Sequence, residues 1–219
     1  MIPPMTILIT AGPTREALDP VRFLTNKSSG KMGYAIAKTA AQQGHRVILI
    51  SGPTHLNVPD LVDYVPVEST QEMYDAVEHW IKKADIAIFA AAVADYQPTN
   101  ISEQKIKKDA ETITLELVKT PDILGSAKQK FGYQGVLVGF AAETENLEAN
   151  AREKLKRKGC DLIIANDVSR KDIGFDSNEN EILLISADYI ERPPKASKQH
   201  LSHIILEHAV NLAAPRGMD

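Results

Sequence analysis

Short apolar runs alternate with amphipathic helical segments along most of the chain, and this alternation constrains the fold more than any other feature of the sequence. Five mainly apolar runs have the length of strands, namely residues 6–10, 46–51, 86–90, 135–141 and 161–165, and residues 62–67 are a plausible further strand. Four segments carry apolar or small residues at helical spacing: residues 32–43, 70–84, 147–158 and 197–212. Strands that alternate with helices form parallel sheets with right-handed crossovers. The sequence therefore predicts an α/β fold that is Rossmann-like and doubly wound, with a mainly parallel sheet.

Capping residues indicate where two helices begin. Ser28 or Ser29 is placed to cap the helix that starts near Met32, since a serine hydroxyl accepts hydrogen bonds from the free N–H groups of a first turn. Thr120 is placed to cap a further helix, with Pro121 in the first turn, where proline is favoured. A helix is therefore predicted directly after each of these residues.

Two segments interrupt the alternation of strands and helices. Residues 96–119 include an alternating run at 112–118, typical of a half-exposed strand, and are interpreted as an inserted flap. Residues 167–197 include a possible β-hairpin at 181–190 and are interpreted as a C-terminal hairpin arm. We expect one domain over residues 1–219, to which the flap and the arm are attached.

The composition is that of an ordinary soluble globular protein. The formal net charge of −4 gives no overall attraction to nucleic acid or to an anionic membrane. A single cysteine, Cys160, excludes an internal disulfide. No apolar run approaches the roughly 20 residues that span a bilayer, and the N-terminus lacks the pattern of a signal peptide. We expect a cytoplasmic protein with no nucleic-acid or membrane partner.

The turn at residues 26–33 is the first candidate binding site. It lies between a predicted strand and a predicted helix, where Gly30 and Gly33 allow close approach of the backbone and the helix N-terminus attracts anions. The Gly-x-Gly-x-x-Gly spacing of nicotinamide enzymes is absent, as is the Gly-Lys-Ser/Thr of a Walker loop. Ser51 stands near the point where a dehydrogenase carries its ribose-binding acid. An anion site that differs from both is predicted, although glycines at a helix start are also common without one.

Other ionisable residues have a functional and a structural interpretation. Lys154 and Lys158 share one helix face and repel each other unless an anion lies nearby, but they, like Lys105 in the flap, could simply face solvent. Asp95 follows a predicted strand at its carboxyl end, where open α/β sheets bind ligands. Cys160 has no evident base partner, and the histidines are too scattered for a zinc site. Metal ligands therefore stay unknown.

Seven segments, in order along nearly the whole chain, resemble one family. They are TAGPTRE at 10–16 with DPVR at 19–22, NKSSGKMG at 26–33, AAVAD at 91–95, KIKK at 105–108, KTPDI at 119–123, GFAAET at 139–144 and ANDV at 165–168. With these the chain is similar to phosphopantothenoylcysteine synthetases, also called phosphopantothenate–cysteine ligases, of coenzyme A biosynthesis. In many bacteria this ligase is the C-terminal half of a bifunctional protein with a flavin-dependent decarboxylase. The resemblance implies a stand-alone bacterial-type ligase that works with a separate decarboxylase.

The resemblance also implies a reaction and a set of site residues. The family joins 4'-phosphopantothenate to L-cysteine; in its bacterial form, CTP with Mg²⁺ first converts the carboxylate to an acyl-cytidylate, releasing pyrophosphate, and cysteine then displaces CMP. Asn26 and Lys105 match catalytic positions. Nucleotide contacts match Asp95, Lys105, Pro121, Asp122, Ile123, Leu124, Phe140, Lys154 and Lys158, and we expect Ser28, Ser29, Gly30 and Gly33 to hold substrate or phosphate.

The family further implies a homodimer in which the hairpin after Asn166 helps to form the interface, with an active site that both subunits could share. The choice between CTP and ATP stays open, since eukaryotic relatives can use ATP. Two other functions were weighed. A short-chain reductase needs a Tyr-x-x-x-Lys pair, which does not occur after the central strands. A non-catalytic nucleotide sensor would bind CTP without turnover.

Overall fold

Eight strands form the central sheet in the computed structural model of the protein, which describes residues 3–108, 111–168 and 177–214. In spatial order they are β13 (Ile190–Glu191), β12 (Leu183–Ile185), β10 (Leu162–Asp167), β9 (Val136–Glu143), β6 (Ile86–Phe89), β1 (Thr6–Ala11), β4 (Arg46–Ser51) and β5 (Val62–Pro66). The strands from β10 to β5 pair in parallel, and β12 and β13 are antiparallel additions at one edge. The predicted, mainly parallel α/β sheet is confirmed.

Helices cover both faces of this sheet. They are α1 (Lys31–Gln42), α2 (Thr70–Trp80, continued by a 3-10 turn at Ile81–Lys83), α3 (Ile123–Gln129), α4 (Leu147–Lys158) and α5 (Lys198–Ala213). On one face, Ile36 of α1 and Ile205 of α5 lie in the same apolar cluster as Ile7 of β1. On the other face, Leu155 of α4 shares a cluster with Leu8. Consecutive strand residues point to opposite faces, so β1 serves two cores, as a doubly wound fold requires. Within the described residues, no helix is long and apolar enough to cross a bilayer.

Three short antiparallel pairs lie outside the central sheet: β2 (Arg15–Asp19) with β3 (Arg22–Thr25), β7 (Tyr96–Pro98) with β8 (Leu117–Lys119), and β11 (Glu179–Asn180) with β14 (Ala196–Ser197). The predicted flap therefore has strands at its two ends. The strand expected at 112–118 is confined to β8, because residues 111–119 are all exposed and their alternating apolar side chains have no core to pack against.

The C-terminal hairpin is built into the edge of the central sheet. Leu183 of β12 pairs with Ala165 of β10, and β12 in turn pairs with β13. All three residues of β12 are buried. The strand is therefore part of the hydrophobic core, which its own sequence did not indicate. This part of the predicted arm is therefore a sheet edge, and residues 169–176 of that arm lie outside the described residues.

Both predicted helix caps are wrong. α1 is preceded by Gly30 in the left-handed conformation, with φ 76° and no side-chain cap. Ser28 instead accepts a hydrogen bond from the Gly30 N–H at 3.3 Å. α3 is capped by Asp122, which accepts from a first-turn N–H at 3.0 Å. Thr120 donates its hydroxyl to the Ala94 carbonyl at 2.6 Å, so this side chain is used outside the helix.

His208 and Cys160 both have structural surroundings. The Nδ1 atom of His208 lies 2.7 Å from the Tyr189 hydroxyl, and Nε2 lies 3.1 Å from Glu191. Cys160 is buried, and burial raises the pKa of its thiol to about 12. At neutral pH the sulfur is therefore a protonated, packed side chain and a poor nucleophile.

Candidate active site

A cavity of about 670 Å³ opens at the carboxyl ends of the central parallel strands. Thr10 of β1, Phe89 of β6, Phe140 of β9 and Asn166 of β10 contribute to its wall. Ligands of open α/β sheets bind at this edge, because the loops that follow adjacent strands meet there. This cavity is the candidate active site.

Most of the residues predicted for the site line this one cavity. They are Asn26, Ser28, Ser29, Gly30, Gly33, Asp95, Pro121, Asp122, Ile123, Leu124, Phe140, Lys154 and Lys158. They come from three connections, from β9 and from three helices, so the fold gathers residues that are far apart in the sequence. Their individual roles stay predictions.

The N-terminus of α1 forms one wall and depends on two glycines. The left-handed Gly30 turns the chain into the helix in a conformation that other residues rarely adopt. Gly33 lies so close to β1 that a Cβ at this position would stand 2.6 Å from the Cβ of Ala11. The first N–H groups of a helix have no intrahelical acceptor. This wall therefore offers amide donors and the positive end of the helix dipole to an anion.

Asn26 is fixed beside the loop that follows β6. Its Nδ2 donates to the Ala92 carbonyl at 2.8 Å, and the Ala92 N–H donates to the Gly12 carbonyl at 2.9 Å. An asparagine amide carries a second N–H and a carbonyl oxygen, so this side chain has further hydrogen-bonding capacity. Asn26 is thus a positioned polar group that a ligand in the cavity can use.

Asp122 and Lys158 form an ion pair across the opposite wall. The Asp122 carboxylate also caps α3, and the Lys158 side chain is 12% exposed. Burial favours a raised pKa for Asp122, but the hydrogen bonds from Lys158 and from the Gly125 N–H outweigh it, and the pKa lies below its ordinary value. A cation is therefore held in the cavity wall by a carboxylate that stays charged at neutral pH.

Lys154 stands one helical turn before Lys158 on α4. Its Nζ donates to the Phe140 carbonyl at 2.7 Å. Burial lowers the pKa of Lys154, and the nearby charge of Lys158 lowers it further, whereas Glu143 acts in the opposite sense. A ligand anion beside these two lysines would relieve their repulsion, since opposite charge favours the ammonium form.

Lys105 lies outside the cavity wall. It is exposed, and the next residue is held against the β2–β3 hairpin. The Ile106 N–H donates to Asp19 Oδ2 at 3.1 Å, while the Ile106 carbonyl accepts from Arg22 at 2.8 Å. The Arg22 guanidinium holds the pKa of Asp19 far below its usual range, chiefly through a hydrogen bond. The Asp19 carboxylate that accepts from the Ile106 N–H therefore stays charged. The structure therefore places Lys105 on an anchored surface segment, and its catalytic role stays a prediction.

Several cavity residues were not expected from the sequence: Lys31, Arg157, Asn166, Asn180 and Lys198. Lys31 and Lys198 belong to α1 and α5, on the opposite face of the sheet from Lys154 and Lys158. The cavity is therefore bordered by cations from both helix layers. Asn166 lies at the carboxyl end of β10, the last parallel strand, and the sequence already indicated that position. Lys198 reaches the cavity because α5 packs on α1, which no local pattern reveals.

Candidate metal ligands are few in this cavity. Of its wall residues, Asp95 and Asp122 carry carboxylates. No group of three or more His, Cys, Asp or Glu side chains that could hold a metal ion occurs in the described part of the chain. A cation such as Mg²⁺, which binds through substrate phosphates and one or two carboxylates, is compatible with this donor set.

Comparison with known proteins agrees with the fold. A family model described as the DNA/pantothenate metabolism flavoprotein C-terminal domain matches residues 4–212. The coenzyme A biosynthesis bifunctional protein CoaBC of Vibrio vulnificus is 50% identical over 209 residues, which is 94% of this chain and 52% of that protein. CoaBC of Bacillus subtilis is 47% identical over 213 residues, or 96% and 52%. A crystal structure of the C-terminal domain of CoaBC aligns with a TM-score of 0.80 and 42% identity, covering 94% of both chains.

The chain spans about half the length of the curated relatives that it matches, and these relatives are bifunctional by name. The stand-alone form implied by the resemblance therefore stays a prediction. The family model covers almost all of the described residues, including every segment that lines the cavity. The chain belongs to the family of the DNA/pantothenate metabolism flavoprotein C-terminal domain.

Proposed function

We propose that this chain is a phosphopantothenate–cysteine ligase, which joins 4'-phosphopantothenate to L-cysteine in coenzyme A biosynthesis. CTP is the proposed activating nucleotide, converted to CMP and pyrophosphate through an acyl-cytidylate. The name carried by the relatives supports the biosynthetic context. The cavity supports the chemistry.

The observation that carries the proposal is the cationic border on two sides of one cavity. Lys154 and Lys158 come from one helix layer, and Lys31 and Lys198 come from the other. The reaction brings together two phosphorylated substrates, the nucleotide and 4'-phosphopantothenate, whose reacting groups must meet between their phosphates. Cations on two sides match this distribution, because anions removed from water need charged hydrogen-bonding partners.

We assign the triphosphate to the α4 side. Phosphate oxygens would replace Asp122 as the partner of Lys158 and the Phe140 carbonyl as the partner of Lys154. The turn at residues 121–124 and Asp95 would then contact the rest of the nucleotide. Asp95 and Asp122, the two carboxylates of the cavity wall, are the candidates to support Mg²⁺. When bound, the metal would reduce the charge of the phosphates.

The α1 side is assigned to the acyl substrate. Asn26 offers an amide N–H to the acyl oxygen of the mixed anhydride, and the helix N-terminus with Ser28 and Ser29 offers donors to the acyl or phosphate group. Donors aimed at developing negative charge lower the barrier more in a water-poor cavity than in solvent. Uncharged Asn26 suits both the ionised carboxylate of the substrate and the uncharged acyl carbonyl of the mixed anhydride.

The proposed reaction needs no nucleophile from the protein. A carboxylate oxygen of 4'-phosphopantothenate attacks the α-phosphorus of CTP, and pyrophosphate leaves. The cysteine amine then attacks the acyl carbon; the C–N bond forms, the C–O bond to CMP breaks, and the amine loses a proton. Cys160 takes no part, since its thiol is buried.

Lys105 is proposed to stabilise acyl or phosphate charge during transfer. Because its segment is anchored outside the cavity wall, Lys105 must reach either the cavity of its own chain or that of a second copy in the proposed homodimer. Mixing the variants Asn26→Ala and Lys105→Gln distinguishes these cases. Activity recovered in the mixture means that Lys105 acts across the dimer.

The test of the function is pyrophosphate release by the purified protein with CTP, Mg²⁺, 4'-phosphopantothenate and L-cysteine, with ATP compared in parallel. We expect release to require CTP and 4'-phosphopantothenate, and the amide product to require L-cysteine as well. CTP binding without pyrophosphate release would support a nucleotide sensor and contradict the ligase.

Two variants test the assigned catalytic residues. Asn26→Ala should keep the fold and reduce product formation by about 100-fold, the effect of removing one oxyanion donor. Lys105→Gln should impair transfer, whereas Lys107→Gln, an exposed neighbour in the same segment, is the matched control. Equal rates for the two lysine variants would show that the flap charge has no specific role.

A further inference from the structure

A chain of buried polar groups lies beneath the loop that carries Asp95. Thr14, Glu16 and Thr70 are at most 3% exposed. Glu16 Oε1 accepts two hydrogen bonds from Thr70, one from its N–H at 3.0 Å and one from its hydroxyl at 2.6 Å. The Thr14 hydroxyl lies 3.0 Å from the Thr70 hydroxyl and accepts from the Ala94 N–H at 2.9 Å.

The Glu16 carboxylate sets the donor-to-acceptor direction of these hydrogen bonds. The Thr70 hydroxyl has a single hydrogen, which it donates to Glu16 at 2.6 Å, since the Ala94 carbonyl lies farther away at 3.5 Å. The Thr14 hydroxyl must then donate to Thr70, and its lone pair receives the Ala94 N–H. Every donor from Ala94 onward therefore points toward Glu16, and none of the groups can rotate without breaking a buried hydrogen bond.

Thr120 holds the other side of the same loop. The Thr120 hydroxyl donates to the Ala94 carbonyl at 2.6 Å, and the Thr120 N–H donates to the Asp95 carbonyl at 3.1 Å. Both polar backbone groups of Ala94 are thus fixed, directly before the Asp95 side chain that lines the cavity.

We infer that Thr14 and Glu16 are positioning residues that fix the place of the Asp95 carboxylate in the nucleotide part of the cavity. Neither residue lines the cavity, and both act through the Ala94 backbone. This inference rests on the proposed function only in naming the nucleotide as the ligand of Asp95.

The variant Thr14→Val tests the inference, because valine has nearly the shape of threonine but cannot accept the Ala94 N–H. Thr14→Ser restores the hydroxyl. Thr39→Val is the matched control: Thr39 is also fully buried, and its hydroxyl lies 2.6 Å from that of Ser202, between α1 and α5. Glu16→Gln, which replaces a charged acceptor by a weaker neutral one, gives a second and milder perturbation.

Two readouts are needed. Amide hydrogen exchange should report faster exchange at Ala94 in Thr14→Val by about tenfold, the effect of losing one buried acceptor, with no change in Thr39→Val. The KM for CTP should rise by about tenfold in Thr14→Val while the KM for 4'-phosphopantothenate stays the same, and Thr14→Ser should recover most of the CTP effect.

The outcomes separate this inference from the proposed function. Unchanged exchange at Ala94, or an equal rise in both KM values, would overturn the positioning role. If the wild type released no pyrophosphate, the ligase proposal would fail, but hydrogen exchange and direct titration with CTP would still decide the role of Thr14. If Thr14→Val did not fold, the same two measurements on Glu16→Gln would decide it.

Discussion

The close packing of α1 on β1 gives a prediction that links stability to activity. In Gly33→Ala the new Cβ would lie 2.6 Å from the Ala11 Cβ and 3.2 Å from the Ala11 Cα. Carbon atoms in contact prefer separations of about 3.5–4.0 Å. The N-terminal turn of α1 must therefore move away from β1 by roughly 1 Å, and this turn carries the amide groups that border the cavity.

The expected loss of stability is modest. Overpacking of this kind costs about 1–3 kcal/mol, and replacing glycine by alanine inside a helix returns about 1 kcal/mol. A net loss of about 1 kcal/mol lowers the Tm of a chain of this size by roughly 2–4 °C. The rate should suffer far more, because a misplacement of about 1 Å can reduce catalysis by about 100-fold.

The assay is a double-mutant cycle with Ala11→Gly, which removes the atom that the new Cβ meets. Thermal unfolding and pyrophosphate release are measured for both single variants and for the double variant. We expect the double variant to recover much of the activity lost in Gly33→Ala, with a coupling energy of about 1 kcal/mol. Additive effects, or a Gly33→Ala variant with wild-type activity, would refute the steric argument.

Two further changes have distinct expected outcomes. Lys158→Met should weaken nucleotide binding at least tenfold, roughly the value of one charge-assisted hydrogen bond. Because the pKa of Asp122 is depressed, its ion pair with Lys158 contributes stability above about pH 4, and this stability is lost as the pH falls through the folded pKa. The Tm of Lys158→Met should therefore fall less with decreasing pH than the Tm of the wild type. Equal Tm profiles against pH would contradict the pairing. Cys160→Ala should leave the rate unchanged, and the native thiol should react with iodoacetamide much more slowly than in the unfolded chain; a loss of rate would show that this cysteine is used after all.

The fold could be predicted where the sequence pattern and the core agree. Apart from β5, the parallel strands are mainly apolar runs whose residues are mostly buried. The helix α4 was expected over the residues that it occupies, since its apolar stripe and the following glycine define its ends. The hairpin β12–β13 was recognised as a hairpin but not as a sheet edge. Its place depends on the free edge of β10, which lies outside its own sequence.

The site could be predicted in part. Asn26 was identified from the resemblance to the ligase family, Asp95 from its position at the end of a predicted strand, and Lys158 from the helix face that it shares with Lys154. Asn180 and Lys198 were missed because only the packing of the C-terminal elements brings them to the cavity. The ion pair between Asp122 and Lys158 could not be foreseen either, since the two residues belong to different helical segments and meet only in the folded chain.

The edge hairpin has a consequence for how the protein matures during synthesis. β12 pairs with β10, whose end carries Asn166, and α5 covers the face of the sheet on which α1 lies. The ribosome therefore releases most of the cavity residues before it releases the elements that fix them in place. Because a domain completes its folding as a unit, the cavity reaches its folded shape only after Ala213, the last residue of α5, has emerged from the ribosome. A chain that stalls earlier exposes the apolar sheet face that α5 covers, and such a chain is a target for chaperones.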